Sequence, residues 1–395
     1  MPTTPTVSSP NAPVPKVPPP NVSVPGGPLA RWLAHPGSTE ARIAHHLAHT
    51  LAGLAHFWPL AAAAGVVAAG WSLAAAATRA WQGRHGRWVA IAPPAEPDPA
   101  GGTALWRMLA PLLAARRSLT GVRPPVAFEC HAGPDGLRIG LWVSATLPLD
   151  SVAGAVESAW PGARANLAAP PTLAAGARVS GGRARLACPD WLPLGTEHTG
   201  GDPLRGVLGA LAVAEGGSVL FQVLVRPAPG RLIARAHRAA WARRRGQPTT
   251  RTGRALDLVH HHPSTTGVGG APDPLALADV RDITAKVTAA PHFVVAIRYG
   301  LTGPPGPRRG ARRWRRAKAR EIAAGLGLYA GRNHLVARRL ARGGRGVACR
   351  QLRSGFLCSL PELAALAHLP VEPAAYGLPA APARHVAPPA EVAHD

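Results

Sequence analysis

Lysine is scarce in this sequence, which has only three, at Lys16, Lys286 and Lys318. None of them follows a glycine, and none precedes a serine or a threonine. A phosphate-binding loop of the Gly-x-x-x-x-Gly-Lys-[Ser/Thr] type needs such a lysine to reach the β- and γ-phosphates. We therefore expect no P-loop nucleotide hydrolysis in this chain.

Groups that could form a catalytic or metal site are also few. The cysteines are Cys130, Cys188, Cys349 and Cys358. No two of them form a Cys-x-x-Cys pair, which argues against a zinc site and against a dense disulfide framework. Aspartate and glutamate number only 20, without a paired pattern, and no Gly-x-Ser-x-Gly elbow occurs. The sequence thus predicts a protein that is not an enzyme and holds no cofactor or metal.

The histidines His260, His261 and His262 are adjacent, next to Pro263 in a polar loop. Metal ligands converge from one face and have a second shell behind them, which this arrangement does not supply. We interpret the run as solvated or as adventitious metal affinity.

Positive charge is abundant, and nearly all of it is arginine. The formal net charge is +24 and the sequence pI is about 11.7, while 47% of the residues are hydrophobic. Such a balance favours contact with nucleic acid or with an anionic membrane surface. The alternative is that arginine merely serves as a solvated cation in a composition skewed to alanine, glycine and proline.

The N-terminal part of the sequence predicts a disordered arm followed by a membrane anchor. Residues 1–54 read as a disordered, proline-rich arm and a short amphipathic stretch over residues 29–54, without the features of a signal peptide. Residues 57–78 carry no charge, and this segment is long enough for a helix to span roughly 30 Å of hydrocarbon. We therefore predict a transmembrane helix over residues 55–80, with Trp58 and Trp81 near the two interfaces. The alternative is a helix buried in a soluble core.

The charges that flank this segment predict its orientation. Arg79, Arg84 and Arg87 follow it, whereas Arg42 and neutral histidines precede it. The positive-inside rule then places the large C-terminal part in the cytoplasm. We expect a single-pass protein of the plasma membrane.

The remaining sequence predicts an α+β fold made of two ferredoxin-like (split βαβ) units. The first unit covers residues 86–170 and begins with strand 87–94 and helix 103–117, for which Thr103 is the expected cap. Two strands follow within residues 126–145, joined by a turn at 133–136, and then come helix 150–160 and a short strand. The order β-α-β-β-α-β is the ferredoxin-like pattern.

The second unit, residues 180–370, is predicted to be enlarged by a basic helical arm over residues 230–270. Its pattern is strand 184–194, helix 203–214, strand 218–229, basic helix 230–247, a polar loop, helix 273–288, strand 292–303 and helix 315–331. Residues 371–395 form a tail rich in proline and alanine.

Two clusters interleave arginine with tryptophan and are candidate nucleic-acid-binding sites. The first comprises Trp241, Arg243, Arg244 and Arg245 on the basic helix. The second comprises Arg312, Arg313, Trp314, Arg315, Arg316 and Lys318. Such cations can neutralise phosphates while the aromatic ring stacks on a base. A solvated helix face, a subunit contact or an anionic lipid surface remain alternatives.

The phrase GFLCSLPELAALAHLPVEP, residues 355–373, resembles the segment that ends the N-terminal region of conjugative-transfer and type IV secretion ATPases of Gram-positive bacteria. The matching residues are Phe356, Leu357, Ser359, Glu362, Leu363, Ala364, Leu366, His368, Leu369 and Pro370. Phrases upstream resemble the actinobacterial members, so that the similarity covers roughly residues 88–389.

In that family the phrase leads into a RecA-like motor with a Walker motif, which we expect to be absent here. The resemblance therefore implies a membrane-anchored, non-catalytic component of a conjugative DNA-transfer or type IV secretion-like system, acting as a platform for a separately encoded motor ATPase. Two alternatives stay open: a membrane-tethered DNA-binding protein that uses the arginine and tryptophan clusters, and a truncated relic of a longer ATPase.

Overall fold

The computed structural model describes residues 36–115, 118–173, 179–196, 201–211, 216–245, 274–340 and 343–382. The arm over residues 1–35, the loop with the histidine run and the last residues of the tail lie outside the described residues. The chain divides into two compact units, Met1–Gly70 and Trp71–Asp395. In the first unit the described residues belong to one helix.

That helix, α1, runs without interruption over Pro36–Arg84. The amphipathic stretch and the apolar segment were expected to be separate elements, but they form one helix. Residues 54–58 contain no glycine or proline, the flanking alanines and leucines are strong helix formers, and Pro59 lies inside the helix. Within α1, Trp58–Arg84 is long and apolar enough to cross a membrane, and only 6% of its most apolar window is buried.

The larger unit begins with six elements in the order β-α-β-β-α-β. They are β1 (Arg87–Ala92), α2 (Gly101–Ala115), β2 (Val126–Gly133), β3 (Gly136–Val143), α3 (Leu149–Ala159) and β4 (Arg164–Ala168). The predicted turn joins β2 to β3, where Gly136 adopts a φ of +95° that favours glycine. Thr103 does not cap α2, because the helix begins earlier and the Asp98 carboxylate accepts the Ala100 N–H at 2.8 Å.

The chain continues through a longer series of strands and helices. They are β5 (Val179–Leu186), α4 (Arg205–Leu211), β6 (Ser218–Pro227), α5 (Gly230–Arg244), α6 (Pro274–Thr288), β7 (Phe293–Thr302), α7 (Arg308–Gly325), a 3-10 turn (Leu326–Tyr329), β8 (Leu335–Arg339), α8 (Gly343–Ala348), β9 (Phe356–Cys358), α9 (Leu360–Leu366) and a 3-10 turn (Pro373–Tyr376).

The nine strands among the described residues belong to one antiparallel sheet, in which eight are ordered β4-β1-β3-β2-β6-β7-β5-β8. The pairing of β2 with β6 joins the two halves of the chain. Strand β9 pairs with the first residues of β7, beside the stretch that pairs with β5. The mixed α+β class expected from the sequence is confirmed.

Side chains alternate between the two faces of this sheet, and each face has its own core. Face 1 carries the main core, in which Phe128, Phe221 and Val295 pack against α2, α3, α4, α7 and α9. Face 2 carries a smaller core around Trp88, Trp142 and Val294, with a further cluster between α5 and α6. The basic helices α5 and α7 therefore lie on opposite faces.

Candidate nucleic-acid interface

The most basic helix, α7, packs on face 1 through a narrow apolar stripe. Ile322 and Gly325 are buried, and Gly325 approaches α4 so closely that a Cβ there would lie 2.3 Å from the Gly206 carbonyl oxygen. Pro307 stands at the N-cap position and fixes the entry into the helix. Because the apolar stripe is narrow, most of the arginines of α7 face solvent or the neighbouring groove.

A groove of about 730 Å³ lies between α7 and the end of the sheet formed by β5, β7 and β8. Tyr299 and Leu301 of β7 give it an apolar floor. Its basic residues are Arg312, Arg315, Arg316, Arg338 and Arg339. We call this the arginine groove. None of the described residues that line it is acidic.

The arginines of the groove lack an anionic partner among the described residues that line it. The Nε atom of Arg315 is buried and has no hydrogen-bond partner within the described residues. The acidic side chain on α7, Glu321, instead accepts a hydrogen bond from the Lys318 ammonium at 2.6 Å. A phosphate can take bidentate hydrogen bonds from guanidinium groups, so an anionic ligand would satisfy this cluster.

The predicted residues on α7 separate into those that line the groove and those that do not. Arg312, Arg315 and Arg316 line it, whereas Arg313 is exposed elsewhere on the helix and Lys318 is paired with Glu321.

Trp314 packs against the face 1 core, and a Cβ at position 217 would lie 2.6 Å from its ring, which explains glycine there. The ring does not line the groove and so offers no stacking platform inside it.

The second predicted cluster, on α5, lies on the other side of the sheet. Trp241 is 52% exposed, and the Arg245 guanidinium stacks on its ring at 3.8 Å. Arg243 forms an ion pair with Asp279 of α6 at 3.5 Å, while Arg244 is exposed. The structure therefore does not bring the two clusters together into one surface.

The groove also contains residues that the sequence did not single out. Arg338 and Arg339 belong to β8, and Tyr299 belongs to β7. Residues 334–340 do not alternate between polar and apolar side chains, and their pairing partners identify a strand only once the sheet is known. Across the described residues, no group of three or more His, Cys, Asp or Glu side chains could hold a metal ion.

Comparison with known proteins supplies no identity. No protein-family model matches the sequence, and the search of curated proteins finds no match. The features that bear on function are the apolar helix, the α+β body and the arginine groove.

Proposed function

We propose that this chain is a membrane-anchored, non-catalytic component of a conjugative DNA-transfer or type IV secretion-like system, and that its body binds a nucleic-acid strand in the arginine groove. The observation that carries the proposal is the groove itself, where five arginines surround an apolar floor on a body joined to an apolar helix. The resemblance of residues 355–373 supplies the biological setting.

The proposed anchor is the Trp58–Arg84 part of α1. Most of its large apolar side chains are exposed, as in Trp58 and Leu73, which suits contact with lipid. Arg79, Arg84 and Arg87 then place the body in the cytoplasm by the positive-inside rule. A single pass through the plasma membrane follows from this arrangement.

The proposed body consists of two ferredoxin-like units, the second enlarged by a basic helical insertion. Support comes from the strand orders, β4-β1-β3-β2 in the first half and β8-β5-β7-β6 in the second. Numbered within each half, both orders read 4-1-3-2 and both sets of strands are antiparallel. Helix α5 follows β6 and begins the segment 230–270 that is proposed as the insertion.

The arginine groove suits a phosphodiester backbone better than a small anion. Its length along α7 lets Arg312, Arg315 and Arg316 contact successive phosphates, since these residues lie on neighbouring turns. Tyr299 and Leu301 at its floor are almost fully buried, so the groove offers bases little contact and no sequence readout. We therefore expect binding that depends on salt and only weakly on sequence.

The groove is tested by fluorescence anisotropy of labelled single-stranded and double-stranded DNA with the full chain in detergent. We expect the triple variant Arg312→Gln/Arg315→Gln/Arg316→Gln to weaken binding and to lower the salt slope by about 2 for single strands. The matched control is Arg308→Gln/Arg309→Gln/Arg320→Gln, which removes the same charge from exposed positions of α7. An equal loss of DNA affinity in both triple variants would mean that the net charge of the chain, and not the groove, determines DNA binding.

A separately encoded motor ATPase is the proposed partner of this platform, and the resemblance is what favours it. The resembling phrase forms β9 and α9, in which Phe356, Leu363 and Leu366 are buried against the body. In such an assembly the phrase would therefore belong to the body of this chain and not to the motor. Affinity capture of the tagged chain from its own cells should recover an ATPase even after nuclease treatment. An ATPase that is recovered only without nuclease would contradict direct contact.

A further inference from the structure

A second, smaller pocket of about 260 Å³ lies beside the last turns of α1, on face 2 of the sheet. The helix contributes Trp71, Ala75, Arg79 and Gln82, whose spacing places them on one side of α1. The body contributes the segment Thr120–Arg123, Arg226 of β6 and residues 351–353. We call this the anchor pocket.

The anchor pocket concentrates positive charge. Its charged lining residues are Arg79, Arg123, Arg226 and Arg353, and none of the described lining residues is acidic. Burial lowers the pKa of the Arg226 guanidinium, and the charges of Arg231, Arg123 and Arg79 lower it further. The Nε atom of Arg226 is buried without a hydrogen-bond partner among the described residues. Clustered, partly desolvated cations of this kind are stabilised by a bound anion.

Gln82 adds an independent observation at the same place. It is only 1% exposed, it lines the anchor pocket, and its Oε1 has no hydrogen-bond partner among the described residues. A buried amide oxygen without a partner is unfavourable because it has lost its hydrogen bonds to water. A ligand that carries a hydroxyl group beside its phosphate would supply the missing donor.

The pocket extends along the last two turns of the uncharged run of α1 and the first turn after it. Residues 118–122 form a tight turn, in which the Gly121 N–H donates to the Ser118 carbonyl at 2.8 Å. Thr120 of this turn donates to the Thr78 hydroxyl at 3.3 Å, one residue before Arg79. Leu119 at the tip is fully exposed. An exposed leucine in a turn that contacts the end of an uncharged run is suited to the boundary between acyl chains and headgroups.

We propose that the anchor pocket binds the phosphate of an anionic phospholipid whose headgroup also offers a hydroxyl. The inference rests on the proposed membrane anchoring, because lipid is the phosphate source that a membrane supplies at this depth. Free phosphate shares the same chemistry with the arginines, so the experiment must separate the two sources. Binding would fix the body against the membrane surface next to its own anchor.

The test is native mass spectrometry of the full chain in mild detergent, titrated separately with phosphatidylglycerol, phosphatidylcholine and inorganic phosphate. We expect phosphatidylglycerol to be retained about tenfold more strongly than phosphatidylcholine, because the choline cation is repelled by the arginines and offers no hydroxyl to Gln82. Arg226→Gln and Arg353→Gln should each abolish that preference, and Arg353 is exposed, so its substitution spares the fold. Arg244→Gln, an exposed arginine outside the pocket, is the matched control.

Unchanged preference in both pocket variants, or an equal loss in Arg244→Gln, would overturn the proposal. Inorganic phosphate that binds the pocket as well as the lipid does would also overturn the lipid assignment. Alkaline carbonate extraction of native membranes tests the anchor separately. A chain that carbonate releases would contradict the anchor even if it kept its lipid preference, whereas a retained chain without lipid preference would contradict the pocket alone.

Discussion

Glu362 shows how much of the resembling phrase serves the fold. Its carboxylate is buried, and it accepts hydrogen bonds from the Lys286 ammonium at 2.9 Å and from the Leu194 N–H at 2.8 Å. It also accepts the Ser359 N–H at 2.7 Å and the Ser359 hydroxyl at 3.0 Å. One side chain therefore begins α9 and ties it to α6. This acid is a structural group, and a catalytic role is not needed to account for it.

We expect Glu362→Gln to lower the free energy of unfolding of the body by about 3–5 kcal/mol, because it leaves the Lys286 ammonium buried without its counter-charge. Chemical denaturation of the full chain in detergent, followed by tryptophan fluorescence, measures this. The double variant Glu362→Gln/Lys286→Met should recover part of the loss.

The matched control is Glu321→Gln, which breaks the more exposed pair with Lys318. That substitution should change stability by less than about 1 kcal/mol. Similar effects of Glu362→Gln and Glu321→Gln would show that the buried pair contributes no more than a surface pair.

At the scale of elements, the hairpin of β2 and β3 makes stability depend on pH. His131 lies opposite Arg138 in this hairpin. Burial, and then the charge of Arg138, lower the pKa of His131 to about 4 from a usual 6.5. Between these two values the unfolded chain binds a proton that the folded chain does not, so stability rises with pH across this window.

We therefore expect acid to destabilise the body as the pH falls from about 6.5 to about 4, and we expect His131→Phe to reduce this dependence. Denaturation midpoints measured across that range test the effect. His292, whose pKa burial also lowers, should account for part of what remains. An unchanged pH profile in His131→Phe would mean that the imidazole is protonated in the folded state.

Elements with strong local patterns were predictable, and those defined by long-range pairing were not. The strands β6 and β7 are continuous apolar runs, which is why their positions agree with the sequence prediction. Strand β5 was expected at residues 184–194 but occupies Val179–Leu186. Its two adjacent glycines, Gly181 and Gly182, are weak strand formers, and it is a strand because β7 and β8 pair with both of its edges.

The arginine groove was predictable only from its helical side. The pattern of arginines on α7 is visible in the sequence, although α7 begins at Arg308 and not at residue 315 as expected. The pairing of Arg339 with Gly182 across β8 and β5 closes the groove, and no local pattern encodes that pairing. The position of Trp314 against Gly217 depends on the same long-range packing.

Across the whole molecule, the positive charge is arranged in separate sites. The arginine groove lies at the β8 end of the sheet on face 1, and the anchor pocket lies on face 2 beside α1. A body held through one face would leave the other face open to the strand that we propose it binds. The proposed combination of a membrane anchor with a nucleic-acid platform requires such a separation.

The most direct measurement is co-sedimentation of labelled single-stranded DNA with membrane vesicles that carry the chain with its body outward. The account predicts that DNA sediments with the wild-type vesicles and with the Arg308→Gln/Arg309→Gln/Arg320→Gln control. It should not sediment with the groove variant Arg312→Gln/Arg315→Gln/Arg316→Gln at the same salt concentration and protein density. Equal sedimentation of DNA with the control and the groove variants would contradict a membrane-anchored protein that binds nucleic acid in this groove. So would the absence of DNA sedimentation with all three proteins, the wild type included.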